Sequence, residues 1–223
     1  MKVSDALQSR ITCRAFLPDP VPAATVRAIL DGAKQAPSGG NLQPWWVWVL
    51  AGEPLQAFRE EIQRKMAANP QGEEPEYHVY PPGLKEPYRS RRFKCGEDLY
   101  ATIGIPRENK PARLMQLAKN FDFFGAPVAL FFAIDREMQQ GQWADLGMFL
   151  QSIMLLAREH GLHTCPQEAW ARWPQTIGSF LEIPPELMLF CGMGLGRMDE
   201  SHPINSLRTD RAPVEEFVQM RGF

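Results

Sequence analysis

Helical and strand-like patterns of apolar residues follow one another along this 223-residue chain without strict alternation. The longest helical pattern runs from Gln142 to His160 and stops before Gly161, a residue type that commonly closes helices. Apolar runs predict strands at 45–51, 127–134, 162–165 and 187–191, and the aromatic first run is expected to be buried. Shorter amphipathic patterns predict helices at 4–10, 23–36, 55–66, 175–181 and 214–219. Because strict alternation would indicate a parallel sheet, these patterns predict an α+β fold in one domain over residues 1–223.

The composition argues against several classes of function. A net charge of −2 gives no electrostatic basis for binding nucleic acid or an anionic membrane. No run approaches the ~18 uninterrupted apolar residues of a membrane span, and the N-terminal residues lack the apolar core of a secretion signal. The four cysteines lie far apart without a CxxC pair, which is typical of reduced thiols in the cytoplasm. His160 and His163 have no carboxylate or cysteine at ligand spacing, so no metal site is predicted.

Two arginines four residues apart, Arg10 and Arg14, flank Thr12 near the N-terminus. Guanidinium groups match the geometry of phosphate oxygens, and the hydroxyl between them adds a further donor. The three side chains can therefore converge on one phosphate. Taken alone, such arginines are more often simply solvated at a helix end.

The ten residues Ala36–Trp45 (APSGGNLQPW) lie between a predicted helix and a predicted strand. The glycines allow backbone amides to approach a ligand closely, and the Ser, Asn and Gln side chains add directed donors and acceptors. A planar heterocycle with carbonyls and ring nitrogens needs such groups. The alternative is an ordinary turn, because Gly, Ser, Asn and Pro are turn residues in any case.

A third polar cluster, Thr164–Trp170, follows a predicted strand, and Asn205, Arg208 and Arg211 lie downstream in a polar tail. Loops at strand ends often carry binding sites, although a polar loop is unremarkable there. The glycines of 192–196 imitate a dinucleotide-binding fingerprint, but no helix follows them and the spacing differs. They predict close backbone packing instead.

The residues from Asn69 to about Arg92 hold five prolines among aromatic and cationic side chains, and their pattern is irregular. So long an irregular segment is usually a functional lid or a disordered linker. Its aromatic residues favour an ordered lid, which is expected to extend over about 69–113. Arginines among aromatic rings can bind a substrate carboxylate, so the candidate substrate-binding residues are Tyr88, Arg89, Arg91 and Arg92.

Four sequence blocks together resemble the FMN-dependent nitroreductase family. They are R-x-T-x-R-x-F at Arg10–Phe16, A-P-S-G-G-N-x-Q-P-W at Ala36–Trp45, G-L-x-T-C-P-Q-E at Gly161–Glu168 and N-x-L-x-x-x-R-x-P at Asn205–Pro213. The blocks occur in order across nearly the whole chain, and the second is the most specific. With PYRSRR and QWADLGM between them, they are most similar to the nitrobenzoate reductase branch.

The resemblance implies a three-layer sandwich, with a central mostly antiparallel sheet flanked by helices, in an intertwined homodimer. It implies that Arg10, Thr12, Arg14, Arg211 and Arg208 hold the FMN phosphate and ribityl chain. Pro37, Ser38, Gly39 and Asn41 would come from the partner subunit. Pro166, Gln167 and Glu168 would line the flavin ring. Thr209 departs from the family, in which a lysine is common at this position, and this makes Arg208 the least secure member of the set.

The implied activity is two-electron transfer from NADH or NADPH through FMN to a nitroaromatic or similar small oxidised compound, by a ping-pong mechanism. In such enzymes the flavin supplies the reaction and the protein supplies orientation and electrostatics, so no catalytic acid or base is predicted. Within the superfamily, a reductive dehalogenase or a flavin-cleaving enzyme remains an alternative. A flavin-binding storage or sensor module without turnover is another, although a substrate lid favours the enzyme.

Overall fold

The computed structural model describes all 223 residues and contains one four-stranded sheet. The strands are β1 (Trp46–Ala51), β2 (Val128–Asp135), β3 (His163–Gln167) and β4 (Leu187–Gly196). Their order across the sheet is β1-β2-β4-β3, and every neighbouring pair is antiparallel. This confirms the predicted α+β class with an antiparallel central sheet.

Helices cover both faces of this sheet. The seven helices are α1 (Val3–Ser9), α2 (Ala23–Ala33), α3 (Gly52–Ala68), α4 (Tyr88–Thr102), α5 (Lys110–Ala118), α6 (Gln140–Glu159) and α7 (Pro174–Leu181). The apolar sides of α2 and α6 pack on one face, and those of α3 and α7 pack on the other. The predicted three layers are confirmed. None of the helices combines the length and apolar character that a membrane crossing needs.

Strand β2 lies at the centre of the molecule because both of its faces are covered. Leu130, Phe132 and Ile134 join the α2–α6 core, whereas Ala129 and Phe131 join the α3–α7 core. This alternation follows from the two-residue period of a strand. A strand buried on both faces reads as a continuous apolar run, which is why the sequence identified it.

Strand β1 differs from its prediction, because it is not buried. It pairs only with β2 and forms an edge of the sheet, and Trp46 is 54% and Val49 41% exposed. An apolar run predicts a strand but does not reveal whether a second strand lies beside it. Other bounds also differ: α2 stops at Ala33, β4 continues to Gly196, and only one turn, Val214–Glu216, forms where a last helix was expected.

The segment that follows α3 is irregular only as far as Pro87. Helix α4 begins at Tyr88, so Arg89, Arg91 and Arg92 lie on a helix and not in the irregular segment to which the sequence assigned them. Proline fits immediately ahead of a helix, because an amide is not required there. No residue of α4 is buried, and this weak amphipathic signal explains why the helix was missed.

The irregular part, 69–87, is fastened to the body of the molecule. The Glu73 carboxylate accepts hydrogen bonds from the backbone N–H groups of Gln175 (2.8 Å) and Thr176 (3.1 Å) at the start of α7. The Tyr77 hydroxyl donates to the carbonyl of Phe190 in β4 at 2.5 Å. Specific polar contacts therefore hold this segment, and its role as a lid stays a prediction.

Glycines in β4 admit a layer of aromatic rings. A Cβ at Gly192 would lie 2.4 Å from Cδ1 of Trp170 and 3.2 Å from Cε1 of Phe123, and the Trp170 and Phe123 rings stack with centroids 4.5 Å apart. Gly194 and Gly196 likewise abut Ala126 and Pro127. The prediction of close backbone packing at 192–196 is confirmed, although these residues continue β4 rather than follow it.

We expect Gly192→Ala to lower the free energy of unfolding by about 1–3 kcal/mol, because the added methyl group overpacks a closed aromatic core. Urea unfolding measures this. Gly178→Ala in α7 is the control, because nothing lies within 4 Å of its Cβ position and alanine favours a helix over glycine by up to about 1 kcal/mol. Equal stability of Gly192→Ala and the wild type would contradict the packing argument.

Candidate functional site

A cavity of about 440 Å³ collects the arginines that the sequence singled out. It is lined by Arg10, Thr12 and Arg14 from the segment after α1, and by Arg208 and Arg211 from the tail. These five residues are the complete set predicted to hold a phosphate. The remaining lining residues are Leu7, Gln8, Ile11, Cys95, Leu99, Leu207 and Thr209.

The positive charge in this cavity is uncompensated. No carboxylate of the chain forms an ion pair with Arg10, Arg14, Arg208 or Arg211. Partial burial, and then the charge of Arg211, lower the pKa of Arg10 below its usual value. Like charges gathered in a partly desolvated cleft repel one another and attract an anion. The electrostatics of the cavity are those of an anion-binding site.

A buried amide, Asn205, joins the two chain segments that form the cavity. Its Oδ1 accepts the backbone N–H of Arg14 at 2.8 Å, and its Nδ2 donates to the carbonyls of Ala15 and Asp199 at 2.9 Å each. The backbone N–H of Cys13 donates to the carbonyl of Thr164 in β3 at 2.9 Å. The arginine-bearing segment is thus fixed to both the tail and the sheet.

The guanidinium groups of the two tail arginines donate hydrogen bonds to nearby residues of the tail. Arg208 Nη1 donates to the carbonyls of Asn205 (3.0 Å) and Leu207 (2.9 Å). Arg211 Nη1 donates to Thr209 Oγ1 at 2.7 Å. Thr209 therefore orients a neighbouring cation.

The Ala36–Trp45 block lies outside this cavity. Residues Gly39–Asn41 form a single helical turn, and Pro37, Gly39 and Asn41 are exposed. Ser38 Oγ accepts the backbone N–H of Gln43 at 3.0 Å, which closes the loop. The two glycines and Asn41 thus face solvent in a single chain, where a second molecule could reach them.

Residues Pro166, Gln167 and Glu168 end β3, and they do not line the arginine cavity either. The Gln167 side chain is turned into the core: its Nε2 donates to the carbonyl of Asn120 at 2.7 Å, and its Oε1 accepts from Trp170 Nε1 at 3.4 Å. Only its backbone is available to a ligand. Burial raises the pKa of the Glu168 carboxyl.

The candidate substrate residues lie on α4 and do not line the arginine cavity, although Arg91 lines a neighbouring pocket together with Arg211. Two of them have partners. Arg89 pairs with Glu86 at 2.8 Å, and Arg91 pairs with Glu216 at 2.6 Å. The Arg92 guanidinium lies 4.1 Å above the ring centre of Tyr80 and has no carboxylate partner. Tyr88 is exposed. No group of three or more His, Cys, Asp or Glu residues could hold a metal ion.

The sequence model of the nitroreductase family matches residues 7–197. The chain belongs to the nitroreductase family. It is 41% identical to a 4-nitrobenzoate reductase from Pseudomonas putida over 96% of this chain and 93% of that protein. It is 36% identical to a nitrobenzene nitroreductase from Ectopseudomonas oleovorans over 97% of this chain and 95% of the relative.

Solved structures agree with the family assignment. The FMN- and NADPH-dependent nitroreductase NfnB from Sphigopyxis sp. strain HMH superposes with a TM-score of 0.97, at 43% identity and complete coverage of both chains. The FMN-dependent nitroreductase NfnB from Mycobacterium smegmatis, solved in complex with NADPH, superposes with a TM-score of 0.91 at 28% identity, covering 99% of this chain and 100% of that one. The predicted resemblance to nitroreductases is confirmed.

Several residues of the candidate site were not predicted. Cys95 and Leu99 of α4 line the arginine cavity, and the sequence around them carries no binding pattern. Asn205 was noted in the tail but given no role, although a buried asparagine in a motif is a usable signal. Asp145 of α6 contacts the Ala36–Trp45 block and also escaped notice.

A buried histidine, His163, lies close to two arginines at the start of β3. Arg158 Nη1 is 3.1 Å from its Nδ1. Burial, together with the charges of Arg158 and Arg208, lowers the pKa of His163 from 6.5 to about 4. Between these two pKa values His163 is protonated in the unfolded chain but not in the folded chain. Folding stability is therefore lost as the pH falls.

We expect the free energy of unfolding to drop by up to about 3 kcal/mol through His163 as the pH falls from above 6.5 to about 4. Urea unfolding of the wild type and His163→Gln at several pH values isolates this contribution, because the variant lacks it. His78→Gln changes an exposed histidine and is the control. Parallel pH profiles for wild type and His163→Gln would refute this assignment.

Proposed function

We propose that this nitroreductase-family protein is a homodimeric oxidoreductase that binds FMN and uses NAD(P)H to reduce nitroaromatic compounds. The observation that carries the proposal is the cavity in which four arginines meet without a carboxylate. A surface that concentrates this much unpaired positive charge is suited to a phosphate dianion. The FMN- and NADPH-dependent enzyme NfnB, at 43% identity, supports FMN as the bearer of that phosphate.

The residues of the chain fit FMN part by part. Arg10, Arg14 and Arg211 would hold the phosphate, and Thr12 offers a hydroxyl beside them. Arg208 is part of the same lining, with donors already directed at its own backbone. The ring would lie against the backbone of Pro166, Gln167 and Glu168, because the Gln167 side chain is already bonded within the core.

When bound, FMN supplies two-electron redox chemistry between a nicotinamide donor and an acceptor that take turns at one site. The chain's part is to bind the phosphate, fix the ring and admit the two substrates. The polar groups of the chain at the end of β3 would therefore donate hydrogen bonds to the ring and limit the space around it. The NADPH named with both NfnB structures supports NADPH as donor, and NADH remains a second donor to be tested.

A second copy of the chain would complete the site. Pro37, Ser38, Gly39 and Asn41 do not line the arginine cavity of their own chain, and all of them except the half-buried Ser38 are exposed. A groove of about 870 Å³ beside the exposed strand β1 is lined mainly by apolar residues of α2 and β1. The end of the chain exposes apolar side chains at Val214, Phe217, Val218, Met220 and Phe223. Such surfaces are typical of obligate dimer interfaces.

Helix α4 and the segment before it would form the acceptor lid, within the range 69–113. The P. putida relative is a 4-nitrobenzoate reductase, and nitrobenzoates carry a carboxylate. Arg92 is the member of the α4 cluster with no carboxylate partner, so it is the one free to pair with such an acceptor, and Tyr80 beneath it could flank the aromatic ring. All four cysteines are free thiols, which supports a cytoplasmic location.

We expect the purified protein to be yellow from bound FMN, to bleach with NADPH and to regain its colour on adding 4-nitrobenzoate. Arg14→Ala and Arg211→Ala should each raise the FMN dissociation constant about tenfold or more, because each removes a charge-assisted hydrogen bond worth roughly 1.5–3 kcal/mol. Arg64→Ala removes an exposed arginine paired with Glu61 and is the matched control.

Mixing subunits extends this test to the dimer. If each FMN site takes Arg14 from one chain and Asn41 from the other, then Arg14→Ala and Asn41→Ala subunits, refolded together, regain one intact site per mixed dimer. We expect tight FMN binding at about a quarter of all sites for random pairing. A flavin-free wild type, or tight FMN binding by Arg14→Ala and Arg211→Ala, rejects the proposed FMN site. No recovery in the mixture rejects the shared site alone.

For the acceptor, we expect Arg92→Ala to lower kcat/KM for 4-nitrobenzoate about tenfold while leaving nitrobenzene within about twofold, because one Arg–carboxylate pair worth ~1.4 kcal/mol is lost. Steady-state rates at fixed NADPH give both values. Arg89→Ala is the control on the same helix, since Arg89 is already neutralised by Glu86. An equal loss of kcat/KM for both acceptors would show that Arg92 does not bind the carboxylate.

A further inference from the structure

A buried carboxylate on α6 is bonded to the loop that faces solvent. Asp145 is only 6% exposed and forms no ion pair, yet its Oδ2 accepts the backbone N–H of Gly39 at 3.1 Å. Burial of an ionised carboxylate is costly unless hydrogen bonds replace water. The core itself needs no acid here, because the neighbouring residue Leu146 already fills the apolar interface. The position therefore calls for an explanation beyond packing.

The same face of α6 holds the other end of the loop. Phe149 lies one turn after Asp145, and its ring stacks on Trp45 with centroids 4.7 Å apart and planes 5° from parallel. Residues at i and i+4 share a helix face. One helical turn thus fixes Gly39 through a hydrogen bond and Trp45 through an aromatic stack.

Between these two fixed ends the backbone is strained. Gly40, Asn41 and Gln43 have φ values of 58°, 57° and 51°, in the left-handed region. Glycine tolerates this conformation, whereas for the Asn and Gln residues it carries a cost on the order of 1 kcal/mol each. Such strain persists where the surroundings impose it, and it concentrates at ligand-binding elements.

The strained residues are exposed, and their remaining bonds are local. Gln43 donates its backbone N–H to Ser38 Oγ at 3.0 Å and its side-chain amide to the Asn41 carbonyl at 3.2 Å. Nothing in the chain covers Asn41 or Gln43. The loop is thus held from behind by α6 and presents its outer side to whatever binds there.

We propose that Asp145 is a positioning residue that fixes the Ser38–Gln43 loop in its ligand-binding shape before FMN arrives at the shared site. The inference rests on the proposed function, in which this loop contacts the flavin held by the second subunit. Asp145 touches no ligand itself and acts through the Gly39 amide. Holding the loop in advance removes part of the ordering cost that binding would otherwise incur.

Two substitutions separate the hydrogen bond from the charge. Asp145→Ala removes the acceptor and should raise the FMN dissociation constant about tenfold, because the loop must then be ordered when FMN binds. Asp145→Asn keeps an oxygen that can accept the Gly39 N–H, so it should restore affinity to within about threefold of wild type. If Asp145→Ala does not fold, Asp145→Leu takes its place, because leucine removes the acceptor while keeping the volume of the side chain.

Hydrogen exchange of the flavin-free protein provides a readout independent of FMN. In Asp145→Ala the amides of Gly40–Gln43 should exchange about tenfold faster, while those of α6 beyond Phe149 remain unchanged. A residue needed only for folding would accelerate exchange throughout α6. Faster exchange spread over the whole helix, or none in the loop, would overturn the positioning role.

A double-mutant cycle completes the test. If Asp145 acts through the loop, Asp145→Ala should weaken FMN binding less than about threefold when Asn41→Ala is already present. In the Arg14→Ala background it should still weaken FMN binding by the full tenfold. Equal costs in both backgrounds would contradict the proposal. A wild type that binds no FMN would refute the proposed function, whereas exchange in the loop would still decide whether Asp145 fixes it.

Discussion

Everything else in this molecule is arranged around a strand that is buried on both sides. Every residue of β2 except the last is buried, and its alternating side chains belong to two separate cores. The buried part of such a strand carries no charge, and the arginines of the cavity lie in the segment after α1 and in the tail. The β4 glycines serve the same constraint, because they let Trp170 and Phe123 close the core directly against the neighbouring strand. The polar site is consequently built at the margins of a rigid apolar interior.

In the arginine cavity, at the edge of this interior, charges of the same sign lie close together. Four guanidinium groups face a common space without a counter-ion from the chain, and their repulsion opposes folding. A bound phosphate would relieve it, so ligand binding and folding stability are linked. Asn205 allows the arrangement to persist without ligand, because it fastens the backbone of Arg14 to the tail. Neutral hydrogen bonds therefore hold the backbone of this cavity, whereas its charged groups stay unpaired and available to a ligand.

The sequence identified most of the fold, because α6, β2 and the core-facing residues of α3 repeat at the periods of buried helices and strands. It also identified five of the residues that line the arginine cavity, through motif blocks read as a family resemblance. It misjudged β1, because an apolar run does not tell an edge strand from a central one. It missed helix α4, because that helix buries nothing and so has no apolar stripe. The bonds of Asn205 to Arg14 and of Asp145 to Gly39 span 191 and 106 residues, and no local pattern encodes contacts at such separations.

Because α4 contains no buried residue, its side chains can change without disturbing the core. The helix is tied to the tail by ion pairs from Arg91 and Lys94, and to α5 by the pair between Glu97 and Arg113. The two pairs to the tail are exposed and contribute little to folding, so the side chains of α4 that form them can be exchanged at little cost in stability. If α4 forms the acceptor lid proposed above, new acceptor preferences could arise there without changing the arginines of the proposed FMN site. Relatives named for nitrobenzoate, nitrobenzene and chloronitrobenzene are what a lineage with such a separable surface would produce.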